Sequence, residues 1–173
     1  GAPDVTQIDI TTADAQITAD ESTAVTVQLR DQFGNLITTD RGTVTLSTSP
    51  IGVIDNGSDA GNSSITATYD VDGTYTATFK LNDIGVGDAT IIGEYDGSAI
   101  SDDATVTVNH GAATQLVIQT QPSSTGDATA GVPFVEQPVI EVQDQFGNIV
   151  TGDNSTVITA SIATGSSTLE STG

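Results

Sequence analysis

The word Asp31, Gln32, Phe33, Gly34, Asn35 recurs as Asp144, Gln145, Phe146, Gly147, Asn148, and this recurrence constrains the fold more than any other feature of the chain. The copies stand about 113 positions apart, which in 173 residues predicts two related units. Each copy closes an alternating apolar run, Val25, Val27 and Leu29 before the first and Ile140 and Val142 before the second. Each is followed by an aliphatic pair, Leu36 and Ile37 or Ile149 and Val150. The pattern predicts strand, tight turn, strand. Glycine followed by asparagine tolerates the positive φ of a tight turn, and the aspartate can bond its own backbone. Phe33 and Phe146 are expected to plug the ends of a core, with a ligand-contacting turn as the alternative role.

Alternation continues along the first unit. Residues 6–12 form a strand with Ile8 and Ile10 on one side, and a short strand surrounds Ile17. Residues 24–30 place Val25, Val27 and Leu29 inward, and 43–47 do the same with Val44 and Leu46. Residues 50–62 are expected to be a loop, because Pro50 lacks a donor and Gly52, Asn56, Gly57 and Gly61 follow closely. Residues 64–69 (Ile65, Ala67 and Tyr69 inward) and 73–80 (Tyr75, Ala77 and Phe79 inward) make a hairpin through a short turn at 70–73. Residues 88–95 and 104–109 complete the set, the last with Ala104, Val106 and Val108 inward. About seven strands and no helical periodicity predict an all-β, antiparallel sandwich over residues 1–109.

Residues 110–113 form an expected hinge of mostly small residues. Thr114, Gln115 and Leu116 then echo Thr6, Gln7 and Ile8, so residues 114–173 begin a second sandwich, with about five extra residues in a loop at 121–134. A further strand is expected at 156–162. Measured against the first unit, the second lacks counterparts of residues 64–109, about 50 residues. The expectation is therefore an incomplete second sandwich finished by another chain, an idea that fails if the inner face of the second unit is open to solvent. A fragment held up by its neighbours is the alternative. Gly1 and Ala2 read as a cloning remnant, and the chain as a piece of something longer.

Charge and composition narrow the function classes. Three basic residues against 23 acidic ones give a net charge of −20, which excludes nucleic acid as a partner, since nothing neutralises phosphates. No apolar run is long enough to span a bilayer as a helix, so direct membrane insertion is not expected. The absence of cysteine removes disulfides, thiolate metal sites and thiol nucleophiles.

The series DQFGN, GTVTLS, DVDGTYTATF, GVGDATIIGEYDG and DDATVTV resembles the immunoglobulin-like repeats of bacterial invasin and intimin type surface proteins. The segment from Asp72 to Val108 is also similar to the filamin-type repeat, and ATQLVIQTQPSS through VQDQFGNIV is similar to tandem repeats of large bacterial and archaeal surface proteins. The resemblance implies tandem immunoglobulin-like sandwiches at an extracellular or cell-surface location, with neighbouring repeats of the same protein as partners. A non-catalytic spacer follows from it, because such adhesins usually place recognition in a terminal domain. An accessory module of a secreted enzyme, binding carbohydrate or protein, is the alternative. It would need exposed aromatic platforms, whereas Tyr and Phe here fall largely on inward phases.

Candidate chemistry is sparse. Asp70 and Asp72, followed by Gly73, are the best metal candidates, with calcium the one cofactor considered and Asp83, Asp102 and Asp103 as further acids near strand ends. Calcium takes six to eight oxygens, more than a DxDG word supplies. No catalytic residues are expected. His110 is the sole histidine and is expected exposed in the hinge, no GxSxG elbow occurs, and no acid pair marks a glycosidase. Lys80, the only lysine, would have to form any lysine to asparagine cross-link, but its outward phase argues against burial. Asn56, Asn62 and Asn154 begin Asn-x-Ser/Thr sequons in expected loops.

Overall fold

A computed structural model describes residues 1–39, 42–58, 61–123, 129, 131–161 and 164. Contacts divide the chain into two compact units: Gly1–Gly111 with Phe146–Asn148, and Ala112–Gln145 with Ile149–Gly173. No helix occurs among the described residues.

In the first unit the described strands are β1 (Asp9–Thr12), β2 (Gln16–Thr18), β3 (Ser22–Gln28), β4 (Val44–Ser49), β5 (Val53–Asp55), β6 (Ser64–Thr66), β7 (Thr68–Tyr69), β8 (Thr74–Lys80), β9 (Gly87–Tyr95) and β10 (Ser98–Asn109). They form two five-stranded sheets. One runs β1-β3-β8-β5 with β7 also on β8, and the other β2-β10-β9-β4-β6. The alternating residues meet between them. Val25, Val27 and Leu29, with Tyr75, Ala77 and Phe79, pack in one cluster with Val44, Leu46, Ile91 and Val106. Burying each large aliphatic or aromatic side chain contributes roughly 1.5–3 kcal/mol, enough to make the period-two pattern decide the faces.

Three departures from the expected sandwich share one origin, strands too short for alternation to register. The expected first strand and the short strand at Ile17 are one path that changes sheets: β1 pairs antiparallel with β3, then β2 runs parallel to β10, with Val108 opposite Ile17. The sandwich is therefore mixed rather than purely antiparallel. The expected strand at 64–69 also splits, β6 pairing with β4 and β7 with β8. At the crossing, Ala67 donates its N–H to the Val44 carbonyl at 2.9 Å. The expected loop at 50–62 contains β5, whose Val53 and Ile54 are both buried. Gly52, at φ 80°, lets the chain turn against the Phe79 ring just before it.

Phe33 does not plug the core: it is 78% exposed. The Asp31 carboxylate accepts the Phe33 N–H at 2.9 Å, which tightens the turn and leaves the ring outside. Ile37 closes that end instead, buried and bonded through its N–H to the Leu29 carbonyl at 3.1 Å. The return arm is shorter than a strand, a single bridge between Arg30 and Leu36.

In the second unit, β11 (Gln115–Thr120) pairs antiparallel with β12 (Val139–Gln143). Ile118 stands opposite Ile140 as Ile10 stands opposite Val27. Gln143 bridges Ile149 as Arg30 bridges Leu36. Leu116 and Ile118, on the apolar side of this ribbon, are 53% and 54% exposed. Residues 156–161 form no strand, because a strand needs a hydrogen-bonding neighbour and none is offered among the described residues; residue 162 lies outside them. Part of the expected loop at 121–134, residues 124–128 and 130, lies outside them too.

Candidate functional site

The first copy of the repeated turn is an organised polar cluster. Asp31 Oδ1 accepts the N–H of Phe33 at 2.9 Å, the N–H of Asn35 at 3.0 Å and the Asn35 side-chain amide at 3.1 Å. Burial raises the Asp31 pKa, but the Asn35 amide and the two backbone donors outweigh it, holding the carboxyl below the ordinary carboxylate value. Gly34 and Gly147 take φ of 77° and 90°, which the Cβ of any other residue would strain. Asp144 is likewise buried, and its carbonyl accepts the Gln115 side-chain amide at 2.9 Å. In the first copy the aspartate is a structural hub whose carboxylate is turned inward on its own turn.

Asp70 and Asp72 share one turn, and the further acids lie at separate positions. Asp70 opens the β7–β8 turn, donating its N–H to the Thr74 carbonyl at 2.9 Å, while Asp72 sits at φ 51° with its carbonyl accepting from the Gln28 amide at 3.2 Å. Asp83 accepts the Ile84 N–H at 2.7 Å. Asp102 Oδ2 accepts the Ile10 N–H at 2.7 Å, a role sequence reasoning missed. The available signal was the pair Asp102 and Asp103, which interrupts the β10 alternation where its register against β9 shifts. Among the described residues no three His, Asp or Glu side chains group as metal ligands.

Lys80 Nζ lies 2.6 Å from Asp55 Oδ2, and its side chain is 37% exposed. This contact, joined by the Gly57 N–H, lowers the Asp55 pKa. Lys80 thus faces a carboxylate across β5 and β8. His110 is half-buried rather than exposed, with Nδ1 3.0 Å from the Gly111 carbonyl. Of the sequons, Asn62 and Asn154 are exposed, whereas Asn56 is half-buried and donates its amide to the Thr66 carbonyl at 2.9 Å. No buried side-chain nitrogen or oxygen among the described residues lacks a partner.

Residues 4–111 match the family model of invasin, domain 3. The chain belongs to the invasin domain 3 family. Among solved structures it is similar to the Escherichia coli adhesin FdeC (TM-score 0.59, 21% identity, 88% of this chain and 45% of that one). It is also similar to invasin, described as a bacterial integrin-binding protein (TM-score 0.58, 20% identity, 88% and 29%), and to the Yersinia pseudotuberculosis adhesin InvE (TM-score 0.56, 18% identity, 85% and 51%). This chain thus spans about half or less of the length of these adhesins. A comparison with curated proteins finds no significant match. The invasin-type domain here is an immunoglobulin-like sandwich. No helix among the described residues is long and apolar enough to cross a membrane.

Proposed function

We propose that the chain is a non-catalytic spacer in a large cell-surface adhesin, residues 1–109 forming one repeat and 114–173 the beginning of the next across a hinge at 110–113. The observation that carries this reading is the two-sheet sandwich built around one hydrophobic cluster, with its buried polar side chains all partnered among the described residues. Such a module holds its ends apart, and its polar groups maintain turns. Membership in an invasin-type family supports the surface location.

The test is retention of host cells on a surface coated with this chain, measured against an uncoated surface and an intact adhesin of the same class. A spacer gives no retention above the uncoated surface. Saturable retention competed by the soluble chain would overturn the reading and make the module a receptor-binding one.

A further inference from the structure

Phe33 is the outlier of the first unit's turns, a large aromatic 78% exposed on a turn with little freedom to fold it away. Three donors converge on Asp31 Oδ1 and Gly34 holds a positive φ, so the ring is presented by a stiff backbone at little ordering cost. The second copy of the word shows a different state of the same residues. Phe146 and Asn148 count within the first compact unit, where Phe146 packs against the buried apolar cluster and Asn148, 3% exposed, accepts the Gly85 N–H at 2.7 Å. Asn35, its counterpart, is exposed.

We propose that Phe33 and Asn35 are a docking anchor whose occupant is another repeat of this same type, placed ahead of this one. Phe33 packs against that repeat's core end, and Asn35 accepts the N–H of its residue equivalent to Gly85. The occupant is fixed by chemistry already present in the chain: a sandwich carrying a β8–β9 loop like residues 82–86 receives the word DQFGN. Exposed aromatic anchors that bury on contact are the residues on which association energy concentrates. The inference rests on the reading of the chain as a repeat among repeats and adds the surface by which repeats join.

The test uses the natural absence of tryptophan. Phe33→Trp is made in this chain and in a longer one in which a copy of residues 1–113, whose core closes on its own side chains, is joined to Thr6. That is the spacing at which Thr114 follows residue 113. The expected result is a water-exposed emission in the single chain that moves to shorter wavelength in the longer one, with acrylamide quenching reduced several-fold. Ile92→Trp, on the outer side of β9, is expected to stay quenchable in both. Unchanged quenching of Trp at 33 overturns the proposal, and so does equal protection at 33 and 92, which reports general association. As a second measurement, the unsubstituted longer chain is expected to melt higher than the single chain, and Phe33→Ala to remove that gain; a gain that survives overturns the anchor. Failure here leaves the cell-retention result untouched, and retention of cells leaves the quenching result untouched.

Discussion

Asp102 on β10 reaches across to the opposite sheet, where its carboxylate accepts the Ile10 N–H of β1 at 2.7 Å. β1 ends its sheet, and the bond occupies a backbone donor that would otherwise face an unpaired strand edge. The bulge in β10 between Ala99 and Asp103 is what turns this side chain toward β1.

Asp102→Ala is accordingly expected to destabilise the first unit by about 1.5 kcal/mol, the low end for a hydrogen bond to a charged group because the carboxylate is solvent-exposed. Asp103→Ala serves as the comparison. Urea melts followed by far-ultraviolet circular dichroism read the difference, and equal losses from the two substitutions would deny Asp102 its special place.

Val27→Asp is expected to unfold the first unit, because Val27 is fully buried and an uncompensated carboxylate there costs on the order of several kcal/mol. Thr76→Asp, on the other side of the same sheet opposite Thr26, is expected to cost far less. Thermal melts of the two variants check the assignment of faces.

The Asp31 carboxyl titrates below its ordinary value of 3.8 in the folded chain, so its contribution to stability is fully present above that value. It is lost as pH falls through the lower folded-state pKa. Asp31→Asn removes the charge, and its stability deficit relative to the natural chain is expected to be constant near neutrality and to shrink as pH falls through the acid range. A deficit that stays the same down to strongly acidic pH would show that shape and not charge holds the turn.

Gly73 takes φ 71°, and a Cβ there would overlap the Ile37 carbonyl oxygen. Gly73→Ala is expected to cost about 1–3 kcal/mol through backbone strain and displacement of the Ile37 segment. Gly97→Ala, at φ 79° but with open space around it, separates strain from collision in the same urea experiment.

Calcium at millimolar concentration is expected to leave the melting temperature unchanged, since among the described residues Asp70 and Asp72 join no group of three acids. A calcium-dependent rise abolished by Asp72→Asn would place a site there.

The inward residues of β3, β4, β8 and the end of β10 were legible because a strand of six or more residues repeats its choice of face often enough to be read. Val25, Val27, Val44, Leu46, Tyr75, Phe79, Val106 and Val108 all lie where alternation puts them. β5 was hidden because three residues, two of them buried, carry no alternation at all. Phe33 misled for another reason: its hydrophobicity was plain, but its direction depends on which N–H groups the Asp31 carboxylate captures.

The amino-acid order by itself determined that this chain builds sheets, which faces of the long strands are dry, and that one turn is made twice, since these follow from side-chain period and local turn chemistry. Only the tertiary structure decided where strands change sheets, that β2 runs parallel to β10, and that the Asp102 carboxylate bonds the Ile10 N–H of β1. Those outcomes hang on partners far away in the chain, and local pattern carries no record of which distant backbone group will be within hydrogen-bonding reach.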